Sequence, residues 1–350
     1  MFATLEQTDV AELHQFRDPA TGLRALIALH STRLGPALGG CRCLPYPDEH
    51  TALNDVCRLA RGMSYKAALA GLPLGGGKAV IMEPDKPYDR AALYRAFGDV
   101  VNRLGGRYIT AMDAGTEITD LDQVATQTRH VWGFSGDGMD PSPYTALGVF
   151  AALDAGIRHR FQRHGARGLH IAIQGLGHVG SQLALMLARA GARLTLADLD
   201  PRRAHRLADR LNTHWVPADS IYDVPCDIFM PCALGGVLNT DTIPRLQAAL
   251  IVGAANNQLA SDDDAQRLRE RDILYTPDYL NNAGGLISLA LGHRQEDHST
   301  IRQKVIGIGR TLSQLLGEAA QHQISPAEMA DQQAEQRLQG ETGKHGWKAA

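Results

Sequence analysis

The sequence predicts an α/β fold in two domains. A mixed α/β domain spans residues 1–138, a doubly wound parallel-sheet domain 139–325, and a helical tail 326–350. Three features predict this. From residue 168 onward short apolar strands alternate with helical stretches, the rhythm of a parallel sheet. The hexapeptide GLGHVG (175–180) stands between one such strand and one such helix. Between the halves lies GFSGDGMDPSPYT (133–145), whose Gly, Ser and Pro mark a boundary. A chain of 350 residues has room for two cores.

In the first half, LRALIALHST (23–32) reads as a strand after the turn RDPATG. TALNDVCRLARGMSYKAALA (51–70) carries apolar residues at 53, 56, 59, 60 and 63, one face of a helix. Lys66 lies three positions after Met63 and shares that face, either as a functional group or snorkelling from the helix end. GLPLGGGKAV (71–80) reads as a flexible, apolar, glycine-rich loop that delivers Lys78. It is not a phosphate loop: the first glycine position is Leu72, and Lys78 is followed by Ala79 rather than Ser or Thr. YDRAALYRAFGDVVNRLGG (88–106) is a second amphipathic helix, stopped by Gly105-Gly106. RYITAMD (107–113) is a short strand ending in an acid.

In the second half the strands are GLHIAIQ (168–174), ARLTLAD (192–198), and then CDIFMP, LIVGAA and ILYTP. SPAE (325–328) has the Ser-x-x-Glu pattern of a capping box, so a last polar helix is expected over 327–339. Gly175, Gly177 and Gly180 keep the G-x-G-x-x-G spacing between strand and helix, and Asp198 closes the next strand. The glycines permit a tight turn and bring backbone amides to a pyrophosphate at the helix start; an acid after the second strand binds ribose hydroxyls and repels a 2′-phosphate. The second domain is therefore expected to be a Rossmann-type NAD-binding domain, with NAD favoured over NADP despite Arg202 and Arg203.

Composition excludes other classes. The chain is 44% hydrophobic and 21% charged with a net charge of −3, which gives no electrostatic case for nucleic acid or an anionic membrane. No apolar run reaches the roughly 18 residues of a membrane span. The N-terminus lacks the pattern of a signal peptide. Cys41, Cys43, Cys57, Cys226 and Cys232 are too few for a disulfide framework and fit a reducing cytoplasm. CRC (41–43) lacks the spacing of a zinc site, so no metal is expected. A cofactor domain beside a domain with two lysines and Asp113 suggests hydride transfer from a small anion held between them. The residues alone leave open an amino-acid dehydrogenase, a hydroxy-acid dehydrogenase, and an NAD-binding regulator without activity.

A resemblance narrows this. GPALGGCR (35–42), MSYKAALAGLPLGGGKAVI (63–81), YITAMDAGT (108–116), PSPYTALGVF (141–150), PCALGG (231–236), GAANNQL (253–259) and PDYLNNAGG (277–285) occur in that order. Together they resemble the amino-acid dehydrogenases of the glutamate/leucine/phenylalanine/valine family, nearest the leucine and phenylalanine type. The resemblance implies NAD-dependent oxidative deamination of an apolar L-amino acid (phenylalanine, leucine or valine, or tryptophan) to a 2-oxo acid, ammonia and NADH. It gives Lys78 the activation of the attacking water, with Lys66 as a neighbouring cation that favours its neutral form. Lys66, with Gly39 and Gly40, binds the substrate carboxylate, and Asp113 shuttles protons at the substrate nitrogen. Leu38, Met63, Ala111, Leu286 and Leu289 form an apolar side-chain pocket, with Leu38 where glutamate enzymes carry a lysine. The cofactor contacts it implies are Thr145, Gly175, Leu176, Gly177, His178, Val179, Gly180, Asp198, Cys232, Ala233, Asn256 and Asn282. A cytoplasmic homo-oligomer is the expected assembly.

Overall fold

In the computed structural model, which describes residues 2–138 and 140–340, two separate compact units form, each around its own sheet. The first contains, in order, α1 (Phe2–Thr8), β1 (Glu12–Asp18), β2 (Leu23–Ser31), β3 (Ala37–Leu44), α2 (Glu49–Leu69), β4 (Gly75–Met82), α3 (Arg90–Arg103), β5 (Tyr108–Met112) and α4 (Ile118–Ala125). Its strand order is β1-β2-β4-β3-β5. β1 and β4 run antiparallel to β2, whereas β3 runs parallel to β4 and to β5. Each helix is delimited by local chemistry. Asp48 accepts from the Thr51 N–H at 2.7 Å to start α2, and Asp89 accepts from the Ala92 N–H at 3.0 Å to start α3. The backbone turns out of α3 through Gly105 and Gly106, both at positive φ. Leu93, Phe97 and Val101 of α3 are fully buried against Tyr108 and Ile81, each stabilising the unit by about 1.5–3 kcal/mol relative to exposure.

The glycine-rich loop expected at 71–80 is instead mostly strand. Gly75, Gly76, Gly77 and Lys78 lie in β4, at the middle of the sheet, and none of these glycines has a positive φ. Their role is close approach rather than flexibility. A Cβ on Gly76 would fall 2.0 Å from the Ser64 nitrogen of α2, and one on Gly75 would fall 2.0 Å from the Ser31 carbonyl oxygen. The helix therefore rests directly on the strand at Gly76, two residues before Lys78.

The second unit contains α5 (Ser142–Phe161), β6 (His170–Gln174), α6 (His178–Arg189), β7 (Arg193–Ala197), α7 (Pro201–Leu211), β8 (His214–Trp215), β9 (Ile228–Pro231), β10 (Leu250–Ile251), α8 (Asp263–Glu270), β11 (Leu274–Tyr275) and α9 (Asp278–Asn281). Then follow α10 (Gly284–His293), α11 (His298–His322) and α12 (Pro326–Gln339). The six strands pair in the order β11-β10-β9-β6-β7-β8, all parallel, so this is the doubly wound sheet the alternation predicts. Ser325 caps α12 by accepting from the Glu328 N–H at 3.1 Å. No helix among the described residues is long and apolar enough to cross a membrane.

The linear division at 138 and 325 needs correction. The described residues up to Asp140 form the first unit together with Leu289–Gln295 and the described residues from Gln333; Pro141–Ser288 and Glu296–Gln332 form the second. Local contacts explain these returns. The His293 ring packs tilted against Trp132, with centroids 4.6 Å apart. Tyr65 donates to Glu335 at 2.6 Å, and Arg337 donates to the Ala68 and Leu69 carbonyls at the end of α2. The described part of the expected tail, 326–340, is thus no separate tail; residues 341–350 lie outside the described set.

Gly76→Ala should push α2 off β4 and lower unfolding free energy by about 1–3 kcal/mol. Gly317→Ala, in open space on α11, should be neutral or slightly stabilising. Urea denaturation of both variants decides the matter: equal stabilities would reject close approach as the role of Gly76.

Candidate active site

Alternation along three adjacent strands decides which side chains share a face. Ala37, Cys41 and Cys43 of β3, Ala79 and Ile81 of β4, and Tyr108 of β5 enter the core beneath α3. Leu38, Gly40, Arg42, Gly76, Lys78, Ile109 and Ala111 accordingly belong to the opposite face. The pairings Leu38↔Gly76, Leu38↔Ile109 and Gly40↔Ala111 set them side by side. Farther along β4 the same face is covered by Ala52, Val56 and Ala60 of α2, packed with Val80 and Met82.

On this face Lys78 Nζ lies 2.8 Å from Asp113 Oδ2, with the two side chains only 5% and 13% exposed. Gly40 leaves room for the acid, since a Cβ there would fall 2.8 Å from the Cβ of Asp113. The turn after β5 does not consume the carboxylate. Thr116 holds that turn, its hydroxyl accepting from the Asp113 N–H at 2.9 Å, and Gly115 passes it at positive φ. Burial works against the Asp113 anion, but Lys78 and Arg42 outweigh it and hold the carboxyl at about 2. The result is a nearly dry carboxylate pressed against the Lys78 Nζ, and a carboxylate so placed can accept a proton and return it.

The other candidates distribute as follows. Leu38 and Ala111 are buried beside this pair, and the Gly39 carbonyl accepts from Tyr108 O–H at 2.6 Å. Met63 and Lys66 are half-buried on α2, on either side of Ser64, the residue that meets Gly76. Leu289 of α10 lies 3.6 Å from where a Cβ on Gly133 would sit. Leu286 is buried and falls in the second unit. Sequence reading missed Arg42, Tyr46 and Asp55. Arg42 Nε donates to Asp113 at 2.9 Å and Nη1 to both oxygens of Asp55, to which Tyr46 O–H also donates at 2.5 Å. Its signal was present in GPALGGCR: residue 42 has the parity of 38 and 40 on a strand.

In the second unit the cofactor candidates gather at the carboxyl ends of the parallel strands. Strand order places β9 on one side of β6 and β7 on the other, so the turn after β6 sits at the switch point where such sheets take ligands. A Cβ on Gly175 would fall 2.7 Å from Ala233, and one on Gly180 would fall 2.0 Å from the Gly175 carbonyl oxygen and 3.2 Å from Cys232. Gly177 differs: it starts α6 with no side-chain cap, and a Cβ there would meet nothing within 4 Å. An open space before uncapped amides, beginning at His178 and Val179, fits a dinucleotide pyrophosphate. Asp198 accepts from the Leu176 N–H at 2.7 Å and the Asp200 N–H at 2.9 Å, with Arg203 3.4 Å away. Asn282 donates to Asn256 at 2.9 Å and to the Ala254 carbonyl at 3.1 Å. Its buried Oδ1 has no partner among the described residues. Thr145 donates to the Pro141 carbonyl at 3.1 Å.

Residues 11–130 match the family model described as "Glu/Leu/Phe/Val dehydrogenase, dimerisation domain", and 194–340 match "Glutamate/Leucine/Phenylalanine/Valine dehydrogenase". The class is thereby defined as an amino-acid dehydrogenase, an oxidoreductase. A leucine dehydrogenase of Thermoactinomyces intermedius is 41% identical over 345 residues, covering 97% of this chain and 93% of that one. A phenylalanine dehydrogenase of Caldalkalibacillus thermarum is 40% identical, covering 96% and 93%. The crystal structure of L-tryptophan dehydrogenase from Nostoc punctiforme superposes with a TM-score of 0.82 at 38% identity, covering 97% and 99%. The chain belongs to the glutamate/leucine/phenylalanine/valine dehydrogenase family.

The glycines of the turn make separable predictions. Gly180→Ala should cost about 1–3 kcal/mol of stability through its clash with Gly175, whereas Gly177→Ala should stay within about 0.5 kcal/mol of the parent. Thermal melting compares the two, and equal losses would show that Gly177 does not border open space.

Proposed function

We propose that the protein catalyses oxidative deamination of an apolar L-amino acid: the amino acid, water and oxidised NAD give a 2-oxo acid, ammonia and NADH. The observation that carries this reading is the Lys78–Asp113 pair, 2.8 Å apart and nearly enclosed on a glycine-walled sheet face. Lys66 binds the substrate carboxylate beside Gly39 and Gly40. Asp113 takes and returns protons at the substrate nitrogen, and Lys78 activates the water that attacks the imino carbon. NAD, when bound, supplies the hydride acceptor. The turn from Gly175 to Gly180 would hold its pyrophosphate and Asp198 its adenosine ribose, and Cys232, Ala233, Asn256, Asn282 and Thr145 would contact the cofactor. Asp198 favours NAD over NADP. The free thiols at all five cysteines suit a cytoplasmic enzyme, and the matched dimerisation segment supports a homo-oligomer.

Leu38, Met63, Ala111 and Leu289, all of the first unit, form the apolar pocket; Leu286, of the second unit, is not assigned to it. The relatives' names span leucine, phenylalanine and tryptophan, and within that class Leu289 leans toward an aromatic side chain and Ala111 toward a branched aliphatic one.

NADH formation screened across the twenty L-amino acids and several hydroxy acids tests the reading; turnover of hydroxy acids alone would overturn it. Lys78→Ala should remove nearly all turnover while NADH binding stays intact. Lys66→Ala should raise KM, because it loses a charge-assisted contact. An unchanged KM would take Lys66 out of the carboxylate site, and turnover above about a tenth of the parent in Lys78→Ala would reject the role of Lys78.

Substrate choice gives a further test. A glutamate side chain would bring an unpaired carboxylate to Leu38, at a cost of several kcal/mol. With about 1.4 kcal/mol per factor of ten, glutamate should fall about a hundredfold or more below leucine or phenylalanine in kcat/KM. Comparable values for glutamate would sink the pocket assignment.

A further inference from the structure

Arg42 plays no part in the mechanism above, yet it touches the residue on which that mechanism turns. Its Nε donates to Asp113 Oδ2, the same oxygen that Lys78 Nζ contacts. Its Nη1 lies 3.1 and 2.9 Å from the two oxygens of Asp55 on α2, and Tyr46 donates to Asp55 in turn. We propose that Arg42, anchored by Asp55 and Tyr46, is a positioning residue that fixes the orientation and charge of the Asp113 carboxylate beside Lys78.

Geometry carries this. An ammonium is a point charge that accepts a carboxylate from many directions, whereas a guanidinium presents donors in a rigid plane. Here one edge of that plane is committed to Asp113 and another to Asp55, so the plane cannot turn without breaking a charge-assisted bond. The network joins β3, α2 and the turn after β5, and its arginine and two acids are at most 25% exposed. In such surroundings each bond is stronger than at a wet surface.

The remaining groups near Asp113 leave the role to these cations. Burial pushes the Cys41 thiol of β3 and the Tyr108 phenol of β5 well above their ordinary values, so both are neutral. Asp120 of α4 is engaged by Arg90 at 2.7 Å. The Thr116 hydroxyl engages the backbone of Asp113. Lys66, on α2, is assigned to the substrate carboxylate. Burial opposes the Arg42 cation as well, but Asp113 and Asp55 outweigh it and raise it above its ordinary value. It stays charged throughout the working range. Asp55 shares that charge, so less of it falls on Asp113.

The inference rests on the proposed proton role of Asp113, and two independent readouts separate them. One is the titration midpoint of the Asp113 carboxyl, followed by 13C NMR in aspartate-labelled protein and assigned by its loss in Asp113→Asn. The other is the split between kcat and KM in NADH formation from leucine or phenylalanine. In Arg42→Met the midpoint should rise by about one unit or more, because one of two cations is gone. Its kcat should fall about thirtyfold or more with KM within about threefold, and NADH binding should be unchanged. Arg42→Lys should bring the midpoint back toward the parent without full recovery of kcat, since charge returns and the planar fork does not. Asp55→Asn should leave the midpoint unchanged or lower it, a direction that general loosening of the site does not produce. An unmoved midpoint in Arg42→Met, or losses in all variants that merely track a lower melting temperature, would overturn the proposal. Should Arg42→Met fail to fold, Arg42→Lys decides through kcat: full parental kcat would overturn the proposal. If the parent oxidises no amino acid, the functional reading fails, and the midpoints alone decide the role of Arg42.

Discussion

A lysine and an aspartate meet at 2.8 Å in a place that water scarcely reaches, and much of the first unit is arranged so that they can. Either charge left alone there would cost several kcal/mol, because its hydration is lost and nothing replaces it. The pair therefore has to form together, and the backbone around it has to be close. Gly76 lets α2 rest on β4, Gly40 leaves room for Asp113, and Gly115 turns the chain so that Thr116, rather than the acid, closes the bend. An alanine at the first two of these positions would place a methyl group inside another atom's radius. The sheet is thin where Lys78 and Asp113 meet, and Ile81, Phe97 and Tyr108 fill its opposite side.

The second unit solves a different problem with the same residue. Gly175 and Gly180 bring the turn against β9 and close it upon itself, whereas Gly177 contributes only absence. Two glycines are thus structural and one leaves space, a distinction that spacing in a motif does not contain. Asp198 belongs to both tasks, since its carboxylate already takes the Leu176 and Asp200 amides. A ligand hydroxyl would add to those bonds rather than replace a free charge.

Much of this was legible in the chain. Helical period marked α2 and α3 to within three residues, and the G-x-G-x-x-G spacing between a strand and a helix located the turn after β6. The glycine triplet was misread because composition registers flexibility and does not register a helix pressed against a strand from a distant segment. β1 went unseen: ELHQFRD pairs along an edge and is nowhere fully buried, so no apolar alternation announces it. Arg42 was overlooked for a related reason. Its partners Asp55 and Asp113 lie 13 and 71 residues away, and only the parity of β3 against its neighbours reveals that they converge. The returns of 289–295 and 333–340 to the first unit are likewise long-range events, held by contacts such as Arg337 on the end of α2.

The network around Asp113 sets two requirements against each other. A proton carrier works best when its proton affinity lies near the operating pH, yet two cations hold this carboxyl at about 2, below its ordinary 3.8. The two neighbouring cations favour the anion, so some of its proton affinity is lost. Fixing a reacting group in a productive geometry lowers a barrier by removing freedom before the reaction, and that gain stands against the loss. On the proposed mechanism Asp113 accordingly passes a proton rather than storing one: its resting form is the anion, and the protonated form is transient. Asp55 fits the same balance. By drawing on the far edge of the guanidinium it moderates the pull on Asp113 while keeping the plane in place, so the site gains orientation at less expense to basicity.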